Sequence, residues 1–156
     1  MSLARREISR HKWDSLKCGC GRSAGHLVKV LESAIDGAAD AFRALDGCAI
    51  TQSILKEPAP AVCAVLMAMI ADGLNTNQID EAAWLLLWFA SAEEDGDSVE
   101  SGFYWRCFET IRDGLWSIYR EFQKSSRESV SNAYLNDVLE IVEWDSSRLA
   151  YYRSLP

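Results

Sequence analysis

The sequence predicts an all-α single domain over residues 1–156, with about six helices stacked as three pairs. Three observations carry that expectation. The segment Ala82-Ala83-Trp84-Leu85-Leu86-Leu87-Trp88-Phe89-Ala90 contains no polar residue, and a helix apolar all round must be covered all round. Ala61 to Ile70 is nearly as apolar, and Asp72-Gly73 reads as the tight connection that makes the two segments a buried helical hairpin. Elsewhere apolar residues recur at spacings of three and four, and no stretch alternates with the two-residue period of a strand.

An apolar content of 49% with 25% charged residues excludes a disordered or collagenous chain. The N-terminus, Met1-Ser2-Leu3-Ala4-Arg5-Arg6-Glu7, lacks the apolar run of a signal peptide, and no apolar stretch approaches the roughly 18 residues of a membrane span. A cytoplasmic protein with no membrane role is expected. Five cysteines, an odd number, suit a reducing compartment, with Cys48, Cys63 and Cys107 as buried free thiols within apolar helical patterns.

Taken in order, residues 1–25 are polar and glycine-bearing and predict an irregular lead-in that packs Trp13 on the first helix. That helix carries Leu27, Val28, Leu31 and Ile35 on one face and closes at Asp36-Gly37. A second helix is expected from Asp36 as N-cap to Leu55, with Gly47 marking a bend or close crossing. Pro58 and Pro60 suit the opening turn of the third, and Asn75 to Gln78 supply an N-cap for the fourth. Tyr104, Phe108, Ile111, Leu115, Ile118 and Phe122 form the stripe of a fifth, in which Gly114 implies close backbone approach. Ser125 and Glu128 read as a capping box for a sixth, whose face runs from Val130 to Val142, with Trp144 and Leu149 to Tyr152 covering it. Of the two arrangements open to six helices, a bundle or an α-solenoid, the solenoid explains a middle pair covered on both sides. A pair spacing of roughly 40 residues is that of HEAT-type repeats, so a HEAT-like α-solenoid is expected.

The net charge is −7, unevenly spread. Asp36 to Glu100 holds twelve acidic residues against Arg43 and Lys56, a local −10 that leaves +3 for the rest. Nucleic acid is thereby excluded as a partner for the middle of the chain, and a basic protein surface fits it.

Cys18-Gly19-Cys20-Gly21-Arg22-Ser23-Ala24-Gly25-His26 could offer zinc two thiolates and an imidazole, with His11 as a fourth ligand. The spacing departs from a Cys-x2-Cys knuckle, so the expectation is a structural turn with no metal or cofactor. Catalysis by Cys20 near His26 and Arg22 lacks an orienting third group, and no enzyme activity is expected. The carboxylates Glu93, Glu94, Asp95, Asp97 and Glu100 do not follow the order of a calcium loop. Trp84, Trp88 and Trp116 fit core patterns, whereas Trp105 and Trp144 lie near helix ends, where half-exposed aromatics anchor partners.

Trp13 to His26, the helix start Pro58-Ala59-Pro60-Ala61-Val62, and Arg112-Asp113-Gly114-Leu115-Trp116-Ser117-Ile118-Tyr119-Arg120 resemble small bacterial HEAT-like helical proteins, some grouped with immunity proteins of polymorphic toxin systems. The resemblance spans most of the chain and names no active site. It implies a cytoplasmic antidote that binds a cognate toxin, the charge being suited to one with a cationic nuclease groove. The contact residues expected are Glu93, Glu94, Asp95, Asp97, Glu100, Asp36, Asp40 and Asp72, with Trp105 as an exposed anchor. The alternative is a general helical scaffold with an endogenous partner.

Overall fold

Helix α3 (Ala59–Asp72) opens with Pro58 and Pro60 in its first turn, where no backbone N–H is needed, and stops at Gly73 with φ 96°. Ten of its fourteen residues are buried, so it can exist only inside a shell of other elements. That shell comprises α1 (Leu3–Arg10), α2 (Leu27–Ile35), α4 (Thr76–Ala90), α5 (Phe103–Asp113) and α6 (Leu115–Lys124), all of which touch α3. Helix α7 (Val130–Val142) packs along α4, and α8 (Ser146–Ser154) closes the C-terminal end by burying Leu149. This is the arrangement in a computed structural model that describes residues 1–93 and 102–156.

The molecule is mostly helical, but eight α-helices stand among the described residues where about six were predicted. Residues 3–10 form a helix in the predicted irregular lead-in. Ser2 Oγ caps it locally, and the Asp72 carboxylate accepts from both Leu3 N–H and Ala4 N–H at 3.0 Å. That second cap comes from the far end of α3, at a sequence distance no local pattern records.

The largest departure is the predicted second helix. Between Asp36 and Glu57 the chain makes a 3-10 turn, Ala41–Leu45, and a hairpin of β1 (Ile50–Thr51) and β2 (Ile54–Leu55). Gly37, Asp40, Gly47, Gln52 and Ser53 all take positive φ, which breaks any helix here. Gln52 and Ser53 form the two-residue turn that sets Ile50 opposite Leu55 and Thr51 opposite Ile54. The apolar spacing that suggested a helix instead supplies Phe42, Leu45, Ala49, Ile50 and Leu55 to the core.

Two further boundaries move. The predicted fifth helix divides at Gly114, whose absent Cβ would lie 2.2 Å from Met67 Cε on α3, so the close neighbour is a side-chain methyl and not the backbone approach expected. Ser129, not Ser125, caps α7 by accepting from Asn132 N–H, while Ser125 Oγ donates to Phe122 O. The α4 cap is as predicted, a capping box of Asn75 and Gln78. Within α4, Ala82, Ala83, Leu85, Leu86, Phe89 and Ala90 are buried, but Trp84 and Trp88 are only half covered, their rings 4.9 Å apart. Trp116, predicted as core, is exposed. No helix among the described residues is long and apolar enough to cross a membrane.

Leu66→Ala, at a 1% exposed position on α3, is expected to lower unfolding stability by about 2–5 kcal/mol in urea titration. Asp72→Ala, which removes only the α1 cap, should cost about 1 kcal/mol.

Candidate metal centre

Four side chains from three separate segments converge at the N-terminal end. The first segment is a tight turn in which Cys18 N–H donates to Arg22 O (2.8 Å) and Gly21 N–H to Cys18 O (3.0 Å). Gly19 lies against the second segment, its N–H donating to Cys48 O at 2.9 Å. A Cβ there would stand 2.7 Å from Gly47 O and 2.9 Å from Cys48 O, a backbone approach that only glycine allows. In that second segment Gly47 takes φ 80° and donates to Ile50 O, and Cys48 N–H returns to Leu45 O. The third is the 3-10 turn Ala24–His26 that leads into α2.

These turns bring the sulfurs of Cys18, Cys20 and Cys48 to 3.7, 3.8 and 3.6 Å from His26 Nε2, with all four atoms within 4.8 Å of one another. Cys18 is buried, Cys20 exposed, and Cys48 and His26 lie between. His26 Nδ1 sits 2.8 Å from Ser23 O, which only accepts, so Nδ1 carries the proton and Nε2 turns a lone pair toward the sulfurs. One lone pair cannot accept three thiol protons at nearly equal range. A tetrahedral cation with bonds of about 2.3 Å to sulfur and 2.0–2.1 Å to nitrogen has S···N edges of about 3.6 Å, which matches the spacing.

The thiols themselves differ. Cys20 is lowered to about 6, first by the Arg22 backbone N–H and then by Cys18, whereas burial raises Cys18 and takes Cys48 up to about 12. A cation would favour the thiolate at all three. Four such donors would fill the shell of one tetrahedral cation, and His26 Nδ1 faces a carbonyl rather than a carboxylate.

The expected turn is present, and it brings Cys18, Cys20 and His26 together with a fourth side chain that is not His11. His11 Nε2 lies 3.0 Å from Glu7 Oε1, with its ring edge-on to Trp13. Cys48, read as a buried helical thiol, takes the place because the predicted second helix does not form. Its sequence signal was the preceding glycine, which repeats the Gly19-Cys20 pattern. Cys63 and Cys107 are fully buried free thiols, as expected.

The predicted contact residues are dispersed. Asp72 caps α1, Asp36 pairs with Arg5 at 2.5 Å, and Asp40 pairs with Arg43 at 3.4 Å. Glu93 is exposed, its backbone paired with Ser53 and Leu55; Glu94, Asp95, Asp97 and Glu100 lie outside the described residues. Trp105 is exposed, stacked on Phe108 at 5.4 Å. A different set of carboxylates shares a concave surface: Asp46, Asp80 and Glu81 line a groove of about 510 Å³ with Arg43, Trp84, Val130 and Tyr134. None of the three enters an ion pair among the described residues. Comparison with protein-family models, with curated proteins and with solved structures gives no match.

Gly19→Ala is expected to destabilise the protein by about 1–3 kcal/mol in urea unfolding, because two fixed backbone carbonyls must move. Gly37→Ala, where the nearest atoms beyond the chain neighbours are 3.7 Å away but φ is 82°, should cost about 1 kcal/mol.

Proposed function

We propose that the protein acts by binding another protein, not by catalysis, and that the Asp46–Asp80–Glu81 groove is its contact surface. The observation that carries this is the groove's composition. Three carboxylates without an ion pair among the described residues share the groove with one cation, Arg43, and with Trp84, Val130 and Tyr134, and Val130 is 55% exposed. Such a surface suits a cationic side chain with an apolar stem, the form of Lys and Arg. The charge of the middle of the chain then speeds encounter with a basic partner by long-range attraction.

The partner proposed is a cognate bacterial toxin, held in the cytoplasm by this chain as its antidote. The resemblance of Trp13 to His26 and Arg112 to Arg120 to HEAT-like immunity proteins supports that choice. The HEAT-like solenoid is part of the same proposal; α1, α2, α4, α5 and α6 all pack on α3 and α7 packs on α4. The acidic run from Glu93 to Glu100 would add to steering through its charge.

The test is co-expression with the C-terminal domain encoded by the neighbouring gene. The wild-type chain should restore growth, and Asp46→Lys/Asp80→Lys/Glu81→Lys should fail to, with association slowed about tenfold or more at low salt and helical circular dichroism unchanged. Glu93→Lys/Glu94→Lys/Asp95→Lys should slow association and leave dissociation unaltered. Full rescue by the groove variant would remove the groove from the interface.

A further inference from the structure

We propose that Cys18, Cys20, His26 and Cys48 hold one Zn(II) ion as a closed structural centre. The proposal stands apart from the binding reading, since it concerns how the N-terminal third is held and not what the groove contacts.

Four features converge on it. Three sulfurs surround one imidazole nitrogen at 3.6–3.8 Å, the edge length of a tetrahedral site. The nitrogen facing them is the unprotonated one, because the other donates to Ser23 O, the outer contact that orients zinc-binding histidines. The supporting turns are built for proximity, with Gly19 pressed against Gly47 O and Cys48 O at distances no side chain tolerates. Three soft thiolates and an imidazole in a four-fold set select zinc over the hard cations.

The location gives the ion its work. From Asp36 to Glu57 the chain has only a five-residue 3-10 turn and two two-residue strands, yet Phe42, Leu45, Ala49, Ile50 and Leu55 are buried. Ligands at Cys18, at the start of α2 and at the turn before β1 tie this segment to its neighbours where secondary structure does not. On binding, whatever thiol protons remain on the three sulfurs pass to solvent, and three thiolates against a doubly charged cation leave one net negative charge.

The experiment uses the full chain, purified under non-chelating reductant and, in a second sample, reconstituted with zinc sulfate. Elemental mass spectrometry should find about one zinc per chain. Cys48→Ser and Cys20→Ser should fall below about a tenth of that, whereas His11→Ala keeps it. Because the serine variants can unfold, the wild type is also alkylated in its native state. Exposed Cys20 should resist iodoacetamide until a strong chelator is added, its rate then rising at least about tenfold, while buried Cys63 and Cys107 stay unmodified throughout. The proposal is overturned by a reconstituted wild type that retains no zinc, or by Cys20 alkylation at the same rate with and without chelator. It is equally overturned by a native mass lower by two hydrogens that reductant restores, by iron or copper in place of zinc, or by zinc lost in His11→Ala and kept in Cys48→Ser.

Discussion

Burial of α3 is the constraint from which the rest of the architecture follows. A helix that buries Val62, Cys63, Val65, Leu66, Met69 and Ile70 leaves only the small stripe Ala64, Ala68 and Ala71 partly open to water, so neighbours must close around the rest. At α1, at the α5–α6 junction and on α6, the attachment is a contact that a local pattern does not contain. The Asp72 carboxylate holds the start of α1, Met67 fills the space left at Gly114, and Arg120 donates to Ile70 O at the end of α3. Satisfying the last carbonyls of a buried helix in this way meets the demand that its unpaired backbone groups find partners.

The N-terminal third meets the same demand by different means. Helix α2 is short, and its last carbonyls, Ala34 O and Ile35 O, are taken by Gln78 Nε2 from the first turn of α4. Gln78 thus caps two helices, since its Oε1 also accepts from Asn75 N–H. Beyond α2 the chain covers core surface with turns and a minimal hairpin. Those turns close on their own backbone hydrogen bonds, among them Gly47 N–H to Ile50 O, Ala49 N–H to Leu45 O and Lys56 N–H to Ala49 O, and Cys18, Cys20, His26 and Cys48 converge where this segment meets the turn before α2.

What could be read from the sequence divides along the same line. The paired apolar segments, the Asn75–Gln78 cap and the glycine contact at 114 are local signals, and they appear where expected, although the neighbour at Gly114 is the Met67 side chain and not backbone. The segment Asp36–Leu55 misleads because its apolar spacing fits a helix, while the decisive residues are Gly37, Gly47 and a Gln52-Ser53 turn whose positive φ no propensity foretells. Misplacing that segment also hid the fourth member of the cluster. Read on a helix, Cys48 points into a core; read on a turn, it faces His26. Cys18, Cys20 and His26 were legible as a group because they fall within nine residues, whereas Cys48 joins them only through the fold.

Charge illustrates why counting residues did not locate a surface. Asp36, Asp40 and Asp72 contribute to the acidic surplus of the middle of the chain, yet two are matched by arginines and the third is fixed beneath a helix start. A carboxylate already paired gains little by meeting a second cation, because its field is partly neutralised and its geometry is taken. Asp46, Asp80 and Glu81, which enter no ion pair among the described residues, are brought to one groove by the turn after Leu45 and the first two turns of α4. Their closeness depends on Asp46 following a 3-10 turn instead of extending a helix. The same break in periodicity that exposes Cys48 to His26 therefore also shapes the acidic groove, and one local departure from helix underlies both sites.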